Sequence, residues 1–178
     1  KKATGVKAKL IEATIRLGKK KLLNKKMNFL EKIVNSALEF LVRKKVKKQF
    51  GGNLQAFVSG GGALDKNIGE FLNAIGLPTL QGYGLTEASP VVSCNLPDLV
   101  KVDTVGPPFR TNKVKIAEDG EILVKGENLM IGYWNKIEET KEAIKNGWLH
   151  TGDIGEIGED GFLKITDRKK DLIVNLGG

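Results

Sequence analysis

Apolar residues between positions 1 and 50 recur at Leu23, Met27, Leu30, Val34, Ala37 or Leu38, and Leu41, close to the helical period. Lysines fill the other faces, no proline occurs, and after Gly5 only Gly18 interrupts as a glycine. The pattern predicts two amphipathic helices, about 6–22 and 25–48, broken near 18–24 and ended by Gly51-Gly52-Asn53. Residues 54–58 then form a short apolar run that reads as a buried parallel strand. Ser59-Gly60-Gly61-Gly62 follows, and a helix opens at Asp65 as N-cap, carries Ile68, Phe71, Leu72 and Ile75, and stops at Gly76 and Pro78. With a second strand at 79–81 this is a βαβ unit, whose ligands gather at the carboxyl ends of the strands. The glycine segments 60–62 and 82–84 fall at such ends and read as loops.

From about Pro97 the texture is β. Segments 113–117 and 121–125 alternate around Asp119-Gly120, a hairpin signal, and 154–157 and 162–165 form a second pair around Asp160-Gly161. A short helix is expected at 140–144, ended by Asn146-Gly147. The expected fold is mixed α/β: N-terminal basic helices (1–52), a partial βαβ layer (53–96), then a small twisted β-sheet or barrel (97–169).

Composition changes this picture in two places. A single cysteine, Cys94, excludes an internal disulfide framework and fits a reducing, cytoplasmic setting. The longest apolar runs are far too short to span a membrane. The net charge of +8 hides an asymmetry: residues 1–50 hold 16 Lys/Arg against 3 Asp/Glu, while the remaining 128 hold 13 against 18. A basic segment beside an acidic one suggests a surface facing an anionic partner. Peripheral contact with an anionic membrane is the favoured partner of that kind. Nucleic acid ranks below it, because the segment lacks interleaved aromatics and has only Arg16 and Arg43 as arginines. Ahead of both stands the plainest reading, an amphipathic helical pair that packs on the rest of its own protein and leaves a solvated lysine face. Oligomeric state is not legible.

Four stretches carry candidate chemistry. In Gln81-Gly82-Tyr83-Gly84-Leu85-Thr86-Glu87, two glycines let the backbone approach a planar group while the ring stacks on it. The hydroxyl of Thr86 and the carboxylate of Glu87 suit a phosphate oxygen and a hard cation. The same residues also make ordinary turns. In His150-Thr151-Gly152-Asp153 a carboxylate beyond a tight glycine turn can accept two ribose hydroxyls, or simply close an Asx turn. His150 is the one histidine and has no second ligand-like partner nearby, so no catalytic or metal role is expected of it. Asp167-Arg168-Lys169-Lys170-Asp171 is either a solvated loop or a place where an arginine fork holds sugar hydroxyls or phosphate. Ser59-Gly60-Gly61-Gly62 can admit a base or phosphate close to the backbone, but it is no Walker loop.

Taken in order and spacing, these stretches resemble the adenylate-forming superfamily, and within it the AMP-forming long-chain fatty acyl-CoA synthetase branch. Gly132-Tyr133-Trp134 and Val105-Gly106-Pro107 add to the likeness, which runs over 53–178; the basic helices match only in kind. The resemblance implies activation of a long-chain fatty acid with ATP and Mg2+ to an acyl adenylate, then transfer to CoA or an acyl carrier protein. On the matching positions, Gly60, Gly61, Gly62 and Ala63 would line the base and Tyr83 would stack on it, with Gly82 and Gly84 beside it. Gly84 would also help shape the acyl pocket. Thr86 would contact the α-phosphate and Glu87 would bind Mg2+. Asp153 and Arg168 would hold the ribose. Lys170 would be the hinge to a further domain, with 170–178 its beginning.

Two departures stand out. The chain reads Gly-Gly-Gly-Ala-Leu where many relatives have Gly-Gly-Ala-Pro-Leu, and the family's phosphate loop and catalytic lysine have no counterpart here. Residues 172–174 read as the opening strand of something absent, and the chain begins at Lys1 without Met. The expectation is the middle of a larger enzyme, inactive by itself.

Overall fold

A computed structural model describes residues 5–169, so Lys170 and the strand expected at 172–174 lie outside the described residues. Two compact units are present. One comprises the chain to Ser59 together with Ala63–Leu80; the other comprises Gly60–Gly62 and the chain from Gln81.

The first unit contains α1 (Val6–Leu22), α2 (Phe29–Leu38), a π-helical turn (Glu39–Arg43), α3 (Lys44–Lys48), β1 (Phe57–Ser59) and α4 (Lys66–Ala74). The second helix starts four residues later than expected because Asn28 and Glu31 form a reciprocal cap. Glu31 N donates to Asn28 Oδ1 (2.8 Å) and Asn28 N donates to Glu31 Oε2 (3.2 Å). Asp65 caps α4 as expected, accepting from Ile68 N at 3.0 Å. The strand expected at 54–58 is shorter and shifted, with Phe57 N donating to Pro78 O at 2.8 Å.

Of the apolar stripe predicted along the helices, Leu38 is buried but most of the rest is not. Leu23, Leu30, Val34 and Leu41 are exposed, whereas Thr14, Leu17, Leu38 and Arg43 are buried. A π-turn at 39–43 inserts an extra residue into the helical repeat, so the phase set by buried Leu38 does not carry on to Leu41. Instead Arg43, 6% exposed, occupies the interior. Its Nε donates to Ala74 O (2.8 Å), its Nη2 to Asn35 Oδ1 (2.9 Å) and Thr14 O (3.2 Å), and its Nη1 to Asn35 O (3.3 Å). One guanidinium thus ties α1, α2 and the end of α4, a task its planar fork suits and a lysine does not.

The second unit is mostly β: β2 (Thr79–Gly84, which begins in the first unit), a 3-10 turn (Thr86–Ala88), β3 (Val91–Cys94), β4 (Asn112–Ile116), β5 (Glu121–Gly126), α5 (Ile137–Ala143), β6 (Ile144–Lys145), β7 (Trp148–Ile157) and β8 (Leu163–Arg168). Gly82, Tyr83 and Gly84, expected in a loop, lie in β2 and pair antiparallel with β3, Gly82 opposite Cys94 and Tyr83 opposite Ser93. The backbone of β3 takes up their ladder groups, and that satisfaction outweighs the local preference of Gly-Tyr-Gly for a turn. Both expected hairpins form. β4 and β5 pair around Asp119-Gly120, with Val114 opposite Val124, and β7 pairs with β8. Strand β7 begins at Trp148, well before the expected 154, because it also pairs with β5 and β6 and so becomes the centre of a five-stranded sheet. Tyr83, Ala88, Val92, Ile122, Val124, Leu149 and Leu163 form the core. Among the described residues no helix is long and apolar enough to cross a membrane.

Replacing Arg43 by Met keeps the apolar stem but leaves Ala74 O and Asn35 Oδ1 without that donor and takes a second donor from Thr14 O and Asn35 O. The expected loss is about 2–4 kcal/mol, from buried acceptors deprived of a charged donor. Urea unfolding followed by far-UV circular dichroism measures it, and a loss under about 0.5 kcal/mol contradicts the stapling role.

Candidate functional site

Strand β2 delivers Tyr83 with its ring in the core, 7% exposed, and its hydroxyl on a carboxylate: Tyr83 Oη donates to Asp153 Oδ2 at 2.6 Å. Burial, and then the Asp153 carboxylate, push the Tyr83 phenol well above its ordinary value, so it stays a donor. Gly84 lacks a side chain for a packing reason, since a Cβ there would fall 1.9 Å from Pro90 O. The backbone then enters the 3-10 turn that carries exposed Thr86 and half-buried Glu87. Glu87 is fixed twice: its carbonyl accepts from Met130 N (2.8 Å), and its Oε1 accepts from Tyr133 Oη (2.8 Å). Tyr133, noted earlier only as part of a landmark, is therefore a partner of the expected cation ligand. The remaining lone pairs of Glu87 leave room for a hard cation. Among the described residues no three His, Cys, Asp or Glu come together as a ready-made metal cage. One carboxylate completed by ligand oxygens and water is the usual Mg2+ arrangement.

Asp153 sits on a bulge, where the sequence suggested a tight turn between strands. Between the pairs Glu121 with Ile154 and Leu123 with His150, β5 advances two residues and β7 four. Residues 151–153, three against the single Ile122, bow out of the ladder around Gly152, whose φ of 71° costs a glycine little. Thr151 pins one end, its hydroxyl donating to Ile122 O (2.7 Å) and accepting from Asp153 N (3.1 Å). Asp153 itself is 8% exposed.

Opposite Asp153 in the β7–β8 ladder stands Arg168, whose Nε lies 3.3 Å from Asp153 Oδ1. The structure thus brings together Tyr83, Asp153 and Arg168. Gly60 approaches the same strand, since a Cβ on it would be 3.6 Å from Gly82 O, while Gly61 and Gly62 are exposed with open space around them. Ala63 is exposed and belongs to the other unit. Lys170 is outside the described residues.

The expectation that His150 has no partner is corrected: its Nδ1 lies 3.0 Å from Glu121 Oε2. Sequence reasoning placed Glu121 only in a strand, yet it is a buried carboxylate, 4% exposed, with three donors around it. Burial would raise its pKa, but hydrogen bonds from His150, Lys169 and Gly152 together hold it below the usual glutamate value. A signal existed in the acidic residue directly adjoining the apolar run Ile122-Leu123-Val124, although its partners lie 29 and more residues away.

The two-sheet α/β architecture is shared with adenylate-forming enzymes. Residues 24–134 match the AMP-binding enzyme family model, and the chain belongs to that family. It is 44% identical over 144 residues to the long-chain-fatty-acid–CoA ligase FadD15 of Mycobacterium bovis, covering 81% of this chain and 24% of that protein. To the long-chain-fatty-acid–CoA ligase of Salmonella typhimurium it is 38% identical over 157 residues, covering 81% and 28%. The 2-succinylbenzoate–CoA ligase of Bacillus mycoides is 37% identical over 156 residues, covering 82% and 32%. Among solved structures, O-succinylbenzoate coenzyme A synthetase from Bacillus subtilis in complex with ATP and magnesium superposes with a TM-score of 0.61 at 34% identity, covering 68% of this chain and 28% of that one. The chain spans about a quarter to a third of the length of these curated relatives.

Because the folded state holds Tyr83 protonated, its contribution to stability is complete below the unfolded phenol value of 10.0 and is lost as pH rises beyond it. Tyr83→Phe is expected to cost about 1–2 kcal/mol at neutral pH. It should also flatten the fall in stability above pH 10 relative to the parent chain. Urea unfolding at pH 7 to 11 tests both; parallel pH curves for the two proteins would refute the buried phenol–carboxylate pair.

Proposed function

We propose that this chain carries the nucleotide-contacting part of an AMP-forming acid–thiol ligase that activates a long-chain fatty acid with ATP and passes it to CoA. The observation that carries the reading is the Tyr83–Asp153–Arg168 group, three motif residues joined by a hydrogen bond and an ion pair. Asp153 uses one oxygen on Tyr83 and one on Arg168, and its remaining lone pairs accept the ribose hydroxyls. Arg168 supports the ribose and Asp153 together. Gly60, Gly61, Gly62 and Ala63 line the adenine beside Gly82 and Gly84. Because so little of the Tyr83 ring is exposed, the glycine backbone supplies most of that contact. Thr86 donates to the α-phosphate. Glu87, held by Tyr133, takes Mg2+, which when bound offsets charge developing on the phosphates. Lys170 is the pivot to the domain that follows, and the segments 1–52, 53–96 and 97–169 are the working division of the chain.

Long-chain acid is favoured by the relatives at 38–44% identity, and 2-succinylbenzoate is the competing acid because a relative at 37% identity bears that name. A second, independent role rests on α2 and its continuation. Phe29, Leu30, Ile33, Phe40 and Leu41 are exposed near exposed lysines, a pattern suited to peripheral contact with an anionic membrane.

In the full-length protein, ATP–pyrophosphate exchange with Mg2+ should rise with palmitate but not with acetate or 2-succinylbenzoate; exchange with no acid refutes adenylation. Asp153→Asn keeps an acceptor for the Tyr83 hydroxyl and should lower kcat/KM for ATP about 10- to 100-fold, the worth of charged hydrogen bonds of about 1.5–3 kcal/mol. For the helical segment, sedimentation with anionic vesicles should fall as salt rises. Equal recovery with neutral vesicles would end the membrane reading.

A further inference from the structure

A bulge creates a problem that its own strand cannot solve. Residues 151–153 leave the β5–β7 ladder, so the Gly152 amide has no ladder carbonyl to meet. That amide is met by a side chain, Glu121 Oε1, at 2.9 Å. The other carboxylate oxygen of Glu121 is 3.0 Å from both His150 Nδ1 and Lys169 Nζ. These three contacts flank the candidate nucleotide group on both strands. Gly152 immediately precedes Asp153, and Lys169 immediately follows Arg168, whose Nε is 3.3 Å from Asp153 Oδ1. Lys169 Nζ is further held by Asp119 Oδ2 at 2.7 Å, from the turn that leads into Glu121. The chain of contacts closes on itself, running from Glu121 to Gly152, Asp153, Arg168, Lys169 and back to Glu121.

We infer that Glu121 is a positioning residue for nucleotide binding: its buried carboxylate fixes the bulge that aims Asp153 and anchors the strand end that carries Arg168. The inference rests on the reading of Asp153 as the ribose ligand. Its contacts run to the Gly152 amide, His150 and Lys169, so it acts through Asp153 and Arg168. It acts because a carboxylate offers two oxygens, one for the Gly152 amide and one for the cations of His150, when protonated, and Lys169. A glutamine has a single acceptor oxygen and must abandon one side. Conserving the side-chain shape while halving its acceptors therefore isolates the positioning role. A buried acid with only a stabilising role makes a different demand, since its loss would lower stability without reference to Asp153.

The test is equilibrium binding of ATP and of AMP to the full-length protein by titration calorimetry, with thermal unfolding recorded on the same samples. Glu121→Gln should weaken nucleotide binding about tenfold, the order found when a group that orients a ligand-binding side chain is removed. In steady state this should appear in KM for ATP more than in kcat. In an Asp153→Asn background the same change should add nothing further, because the group it aims is already impaired. Glu121→Asp keeps the charge but is one methylene short of the Gly152 amide, and should weaken binding as Glu121→Gln does; it serves if the glutamine variant does not fold. Overturning results are wild-type affinity in both Glu121 variants, or an equal further loss on top of Asp153→Asn. A protein in which Asp153→Asn weakens binding but neither Glu121 variant does loses this inference alone. If Asp153→Asn leaves binding unchanged, the ribose reading falls and takes this inference with it.

Discussion

Much of the second unit turns on one buried contact, the Tyr83 hydroxyl against the Asp153 carboxylate at 2.6 Å. A carboxylate that is 8% exposed is costly unless its lone pairs are met, and a phenol in the core is costly unless its proton has an acceptor. Each group supplies what the other lacks, across 70 residues of sequence. The contact joins the short β2–β3 pair to the five-stranded sheet at the point where the candidate site residues gather. It also explains why the ring of Tyr83 belongs to the core cluster while its hydroxyl belongs to the site. Packing and the candidate site share a single side chain.

The bulge in β7 supplies the second constraint. A regular strand would alternate Thr151, Gly152 and Asp153 between the faces of the sheet and keep their amides in the ladder. Bowing them out frees Asp153 to meet Tyr83 and Arg168 together, at the expense of ladder bonds. Thr151 on Ile122 O and Glu121 on the Gly152 amide replace what is lost. Sequence and mechanics meet in Gly152, where a φ of 71° lets the backbone take the bend.

How much of this was legible follows from the range over which each cause acts. The hairpin at Asp119-Gly120 and the cap at Asp65 depend on neighbouring residues, and both formed where the pattern placed them. The site's motif residues were legible as a family resemblance, and the structure brings Tyr83, Asp153 and Arg168 together. What failed was non-local. Gly-Tyr-Gly reads as a turn until β3 is available to pair with it. The helical stripe from Leu23 to Leu41 reads as a core face, yet most of it is exposed, and beyond the π-turn Arg43 rather than Leu41 takes the interior.

Arg43 and Glu121 are instructive together because each breaks the same rule of thumb. A lysine- and arginine-rich helix invites the reading that its cations face solvent or an anionic partner, and a glutamate at a strand start invites the reading of a solvated edge. Both are buried, and both serve polar groups that regular structure left unpaired: the helix-end carbonyl of Ala74 for Arg43, a bulge amide for Glu121. An ionic side chain with several hydrogen-bonding atoms can serve two or three such groups at once, which no apolar residue of similar size can do. Irregularities in an otherwise regular fold therefore mark where buried charge is expected. The π-turn and the β7 bulge are two such irregularities, and the second lies beside the residues that contact the nucleotide in the proposed function.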